Sequence, residues 1–592
     1  MARLLSGEGD RDRAAASWEA ALLACPTYGA LSEAYLNLGT LLAQTRPTAA
    51  LAYLLHSVDF LGDRERPPAR AQAPENLAFL EAVATPHSEQ FLQSLFGNLS
   101  RLSEAVPGLG GPVEPDVGQV ASEWSAAEQA SYTGSPEEAP GAWLALAERW
   151  RGTLLERMAH LAAGQWALNA GLYRQAQEAF DAAVAQGAAA GALNPLIYYS
   201  EGHLALAEGD LSRARGLFER ARQTEDVALG ALARLRLAEM CEALGEADAA
   251  REHFRGLALD HPDGYFGGVA GEALWRLDEF DLSQVGGPTG DRPALYLGED
   301  RATRGEWRVY GRDAFVLCGD LSGGARWPLT CSAHAGNGES LETWSQGEDA
   351  HPSMPYRPDR NRRSPANWCD GGEHEEIGTG PDMLVFLNIP PGRFRLSLYF
   401  VNDHNYYEPS REHTVYILDG ADRKRVLAAC PVHNFLQGVY EHFAVVGPRT
   451  ITVRILRNMS LNTILEALFL DELGAMGSWE SVAEKLPPEA AAATAPLGAS
   501  DTILTVGAAT ARCQEAEKAL GAQAGWSRAA LAWTALGDSA DAELGRAAEA
   551  FWLGECYRSV QAASGLELAR EWLAGVSQRF VESGAVGAAE MA

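Results

Sequence analysis

The sequence contains no run of eighteen apolar residues, so no stretch of it reads as a membrane-spanning helix. Its opening, MARLLSGEGDRDR, has too short an apolar core for a secretory signal. None of the eight cysteines forms a Cys-x-x-Cys pair, the usual mark of structural zinc. G-x-S-x-G, a Walker phosphate loop and a G-x-G-x-x-G following a strand are all missing. His374 sits among Glu373, Glu375 and Glu376, but no H-E-x-x-H spacing follows, so the stretch 369–376 reads as a solvated acidic loop. With none of these signatures present, the chain is expected not to be an enzyme. Positive charge is also scarce: 48 Lys and Arg against 79 Asp and Glu leave 48 − 79 = −31. A surface this acidic repels phosphate backbones and anionic lipid, which argues against nucleic-acid binding and membrane docking.

Four cysteines crowd together: Cys318, Cys331, Cys369 and Cys430. In an oxidising compartment they make two disulfides; in a reducing one they stay buried thiols, and the sequence leaves both open. The compartment is equally open.

One spacing recurs three times. Gly164, Ala176, Phe180 and Ala183 form the first set, Gly202, Ala214, Phe218 and Ala221 the second, and Ala238, Ala250, Phe254 and Leu257 the third. The intervals of twelve, four and three are the same in each, and the sets lie 38 and 36 residues apart. Gly171, Gly209 and Gly245 mark the turns, and Pro262 closes the third hairpin. This pattern resembles the tetratricopeptide repeat. There a small residue midway along the first helix admits the second, whose Ala and Phe fill the space between hairpins. The resemblance implies an α-solenoid over 141–280 whose concave face holds a protein partner. Weaker hairpins are read over 1–103, the first of them with a stunted opening helix, so that a leader or anchor upstream is an open expectation. Residues 104–140 read as a linker or long loop, 476–500 as a second linker, and 501–592 as further repeat-like helices.

From 293 to 475 the period changes. Short runs rich in β-branched and aromatic residues, such as MLVFLNI (383–389), RFRLSLYFV (393–401) and TITVRIL (450–456), are separated by Gly, Pro, Asn and Asp. Their even spacing predicts a β-sandwich of jelly-roll type, expected to fold as an independent unit. Its leading edge is GEWRVYGRDAFVLCG (305–319), in which Trp307 and Tyr310 anchor the first turn. The order of Gly-x-Trp, Leu-Tyr-Phe, Asn-Phe…Gly-Val-Tyr and a final Leu-Phe-x-Asp strand resembles non-catalytic, carbohydrate-binding or galactose-binding-like sandwiches of exported bacterial proteins. That resemblance implies an extracytoplasmic location if an N-terminal segment is missing, and glycan binding as one of the two roles open to the sandwich, the other being assembly.

Loop aromatics are the candidate stacking residues: Trp344, Trp368, Tyr406 and Tyr407, with His404 beside them. Flat rings stack on sugars while neighbouring Asn, Asp and Arg bond hydroxyls. Asn402, Asp403, Glu408, Asp471 and Glu472 offer oxygen to a structural calcium ion, though without an EF-hand loop; no other cofactor is expected. The combined expectation is a non-enzymatic scaffold whose repeats bind a protein partner and whose sandwich serves recognition or assembly. The alternative is a carbohydrate-binding accessory protein supported by its helices.

Overall fold

The computed structural model describes residues 11–24, 32–58, 87–105, 116–285 and 293–472, less short stretches inside the last two ranges. The expected linker 476–500 and repeat-like helices 501–592 lie outside the described residues. The described chain is mixed α and β. Helices come first: α1 (Arg11–Ala24), α2 (Ser32–Leu42), α3 (Pro47–His56), α4 (Glu89–Ala105), α5 (Val117–Thr133), α6 (Ala139–Arg149) and α7 (Leu154–Asn169). They continue with α8 (Tyr173–Ala185), α9 (Asn194–Ala207), α10 (Leu211–Ala221), α11 (Val227–Ala243), α12 (Ala247–Asp260) and α13 (Tyr265–Glu279). Among the described residues no helix is long and apolar enough to cross a membrane.

The spacing seen in the sequence becomes three helical hairpins, α7–α8, α9–α10 and α11–α12. At each turn a glycine adopts positive φ: +74° at Gly171, +74° at Gly209 and +78° at Gly245. The backbone bonds repeat as well. Gly171 and Leu172 donate to the carbonyls of Leu168 and Ala167, Gly209 and Asp210 to Leu206 and Ala205, and Gly245 and Glu246 to Glu242 and Cys241. This Schellman pattern satisfies the last helical carbonyls and requires a residue at ease in the left-handed region. Inside the hairpins the small residues do what the spacing predicts. A Cβ on Gly202 would meet the Phe218 ring at 2.6 Å, and one on Gly164 would overlap Phe180. Ala176, Ala214 and Ala250, with Phe180, Phe218 and Phe254, are buried.

Two expectations change. The stretch 104–140 is not all linker, because α5 occupies Val117–Thr133. Behind its Gly- and Pro-rich lead, Val120, Ala121, Trp124 and Ala127 recur at helical spacing and are all buried. The helical array is also not an open solenoid. It curls back so that α1 lies against α11 and α13. His56 at the end of α3 meets Asp226, the N-cap of α11, at 2.5 Å, and Tyr53 accepts from the Val227 amide at 3.3 Å. Every residue of α3 from Ala49 onward is buried, as expected of a helix that is apolar all round.

Among the described residues twelve strands follow: β1 (Ala294–Asp300), β2 (Ala314–Leu317), β3 (Ser322–Ala325), β4 (Cys331–Ala335), β5 (Glu342–Ser345) and β6 (Ala366–Cys369). The rest are β7 (Met383–Phe400), β8 (His413–Asp419), β9 (Val426–Val432), β10 (Val439–Leu456), β11 (Ile464–Leu465) and β12 (Ala467–Glu472). All the pairings between these described strands are antiparallel. One nine-stranded sheet runs β3-β2-β12-β7-β10-β8-β9, with β1 on β10 and β4 on β7; a three-stranded sheet runs β11-β6-β5. The paired runs 383–389/393–401 and 439–446/450–456 are two continuous strands. Each passes through its Pro-Gly element without leaving the ladder, the register slipping only between Gly447 and Arg449. Beyond that point the partners change. The first half of β10 holds β1 and the second holds β8; the first half of β7 holds β4 and the second holds β12. The sheet thereby folds over on itself. β1 and β9 share no ladder yet lie against each other, and Cys430 of β9 sits 3.9 Å from Glu441 of β10. The described cysteines of the cluster, Cys318, Cys331, Cys369 and Cys430, are free thiols.

The helices and the sheet share one core. Leaving α13, the chain runs back along the row of hairpin turns: Val285 lies at Gly245, Leu297 and Gly298 at Gly209, and Ala302 at Gly171. Tyr173 donates to the Glu299 carbonyl at 3.1 Å. One apolar cluster extends from α1 to β12.

Candidate functional site

Among the described residues, two places that gather polar chemistry bear on function. The first is a buried cluster where α11 meets the sheet. Arg236 donates through Nη1 to both oxygens of Glu239 (3.1 and 3.0 Å) and through Nη2 to Glu412 Oε1 (2.6 Å). His433 Nε2 lies 2.7 Å from Arg236 Nη1 and 3.3 Å from Glu239 Oε2. Tyr265 Oη donates to Glu412 Oε2 at 2.7 Å. Burial pushes the Glu239 carboxyl up, but Arg236 and His433 more than offset it and hold it at about 2. One ligand atom each from Glu239, Glu412 and His433 lie within 4.8 Å of one another, the spacing of a metal triad. The guanidinium already supplies the cation there, and a divalent ion beside it would meet like charge at short range. This cluster ties the helices to the sheet.

The second place is an open groove of about 1,030 Å³ at the start of the helical array. Helix α2 packs between α1 and α4 and forms its floor. Leu36, Asn37, Thr40 and Leu41 line that floor, Arg11 and Trp18 come from α1, and Phe91, Asn98, Arg101 and Leu102 from α4. The α4 wall is set by His87. Its Nδ1 meets Glu128 Oε1 of α5 at 2.6 Å, its amide donates to Glu128 Oε2 at 2.7 Å, and its Nε2 lies 3.4 Å from Ser32 Oγ at the start of α2. Phe91 stacks on the same imidazole, centroids 4.5 Å apart. Across the groove Asn98 donates to Thr40 Oγ1 at 2.9 Å. Half-buried Trp18, Leu41 and Phe91 therefore sit beside the exposed amides of Asn37 and Gln90 and the exposed guanidiniums of Arg11 and Arg101, the latter two oriented by hydrogen bonds.

The residues singled out in the sequence fall elsewhere. Trp368 is buried in β6, opposite Thr343 and Leu465, and does not turn its ring to solvent. The backbone of Trp344 lies in β5 opposite Asn367. Asp403, His404, Tyr406, Tyr407 and Glu408 lie outside the described residues. Asp471 is fully buried and engaged by Arg395 Nη2 and the Gly311 amide, both at 3.1 Å, and Asn402 accepts from Arg411 Nη1 at 3.1 Å. The acceptors proposed for calcium are thus committed to protein donors at these two positions. Trp307 and Tyr310 are buried against Phe469 and Tyr440, the anchoring expected of them. The groove residues carried no sequence signal, since Asn37 and Asn98 are far apart in the chain and polar residues on a helix read as solvated face.

Compared with known proteins, the chain matches no protein-family model and no curated protein.

Proposed function

We propose that this protein is a non-enzymatic interaction scaffold: tetratricopeptide-like hairpins braced by a jelly-roll-type β region, with a protein partner held in the groove between α1, α2 and α4. The observation that carries this reading is that groove, large enough for several residues of a peptide and lined by apolar side chains among fixed hydrogen-bonding groups. The first helices of the repeats are poor candidates for the partner surface. Helices α7, α9 and α11 are buried along nearly their whole length by the chain's own α-helices and sheet. The β region serves as a brace on the hairpin turns.

The test is a photo-reactive amino acid placed at exposed Asn37 in the groove and, separately, at exposed Glu252 on the outer face of α12. After irradiation in cells, a discrete covalent adduct is expected from position 37 and not from position 252. Adducts from both, or from neither, would remove the groove as the partner site.

A further inference from the structure

The arginines of the groove differ from most others in the molecule. Arg46, Arg149, Arg213, Arg215 and Arg234 each meet a carboxylate within 4 Å, as the acidic composition leads one to expect. In the groove, Arg11 Nη1 donates to the amide oxygen of Gln44 at 3.0 Å. Arg101 Nη2 donates to Asn98 Oδ1 at 2.9 Å and its Nε to the Gly97 carbonyl at 3.1 Å. Neutral acceptors orient a guanidinium and leave its charge in place. Two positive charges thus stand on the opposite walls, α1 and α4, against one lining carboxylate, Glu33, in a chain whose net charge is −31. Between them lie the apolar faces of Trp18, Leu41 and Phe91.

We infer that the groove takes an extended acidic peptide. Two Asp or Glu side chains seat on Arg11 and Arg101, an apolar side chain between them packs on Trp18, Leu41 and Phe91, and the exposed amides of Asn37 and Gln90 meet the peptide backbone. This inference rests on the groove being the partner site. Guanidiniums bond carboxylates in bidentate fashion, so charge and geometry both favour an acid over its amide. The net charge of −31 disfavours non-specific contact with an acidic segment, so that binding depends on local positive charge such as that of this groove.

The experiment is selection of a phage-displayed library of random seven-residue peptides on the full chain. It is repeated on the Arg11→Gln/Arg101→Gln double variant and on Asn37→Trp, which fills the groove. The most enriched peptide and its copy with every Asp and Glu changed to Asn and Gln are then compared by fluorescence anisotropy. Asp and Glu should be enriched on the unaltered protein, and the amide copy should bind at least ten-fold more weakly. Affinity should fall as salt rises, and the double variant should bind both peptides alike. Arg11 and Arg101 are exposed, so an unchanged melting temperature shows that the double variant is folded. Enriched peptides without acids, or an amide copy that binds as well, would overturn the acidic preference and leave the groove as partner site. Peptides selected equally on Asn37→Trp would overturn both.

Discussion

His413 sits on β8 with its ring 6.3 Å from Phe400 and 5.4 Å from Phe435, and it is fully buried. Neither ring nitrogen makes a well-formed hydrogen bond. Burial, reinforced by Arg411 and Arg457, holds the imidazole at about 3. In the unfolded chain the same group titrates near ~6.5. Between those values the unfolded state binds a proton that the folded state refuses, so stability falls as pH falls through this window. His203 and His442 are pushed down in the same way, by burial and then by neighbouring arginines. Glu441 acts oppositely. Burial and then Glu299 raise its carboxyl well above the usual range. Its contribution is complete below the unfolded carboxyl value near ~4.5 and is lost as pH rises toward the folded one. His160, His253 and His261 are also lowered, and Glu201 and Glu272 also raised, so six described imidazoles stand against three carboxyls and the full chain should melt at a lower temperature at pH 5 than at pH 7.5. His413→Phe should fill the same space between two phenylalanines and remove about 1.4 kcal/mol per pH unit of that slope below pH ~6.5. An unaltered slope in melting temperature against pH would show that His413 is not held neutral.

At the scale of the hairpin, two glycines make opposite predictions. Gly202 in α9 is where a Cβ would meet Phe218 at 2.6 Å. Gly202→Leu should destabilise the protein by at least roughly 1–3 kcal/mol, since the ring has to move and the helices part. Gly216 lies inside α10 with nothing within 4 Å of its would-be Cβ, so Gly216→Ala should stabilise by about 0.5–1 kcal/mol through backbone entropy. Thermal denaturation of the two variants decides the register: shifts of the same sign would mean that the Gly–Phe contact is misplaced. These hairpins were legible in the sequence because the contact recurs at constant intervals within a local unit. Helix α5 was hidden behind its Gly- and Pro-rich lead. The two long strands read as four because Pro390-Pro391-Gly392 and Gly447-Pro448 look like turns, although here the two neighbours bend together and keep their pairing. Strands β3 to β6 are short or polar, with nothing periodic to announce them. Trp368 illustrates the limit for the site: a tryptophan in a polar loop-like stretch carries no local mark of which way its ring faces. The groove was illegible for a related reason: its walls are the polar faces of α1, α2 and α4, and such a face carries no local mark of whether it meets a groove or open solvent.

For the whole molecule, the question is whether helices and sheet unfold together. The sequence leads one to expect that 293–475 folds by itself, but its buried polar groups look outward for their partners. Glu412 and His433 find Arg236 on α11, and Tyr416 bonds Glu242 on the same helix, which in turn holds Arg276 of α13 at 2.7 Å through each guanidinium arm. Cutting the chain at 293 would leave Glu412 without its counter-charge, and β1 would lose the hairpin turns it lies on. Removing one partner of a buried pair costs roughly 3–5 kcal/mol, because the other charge stays behind unpaired. Arg236→Leu should therefore destabilise the full chain by about that amount. It should shift the helical signal at 222 nm and the tryptophan fluorescence by the same number of degrees, since the network spans both parts. The isolated segment 293–475 should melt well below the full chain or fail to give a cooperative transition. If that segment alone melts at the temperature of the full chain, or if Arg236→Leu moves only one of the two signals, helices and sheet are separate domains and the buried arginine is a local ornament of their contact.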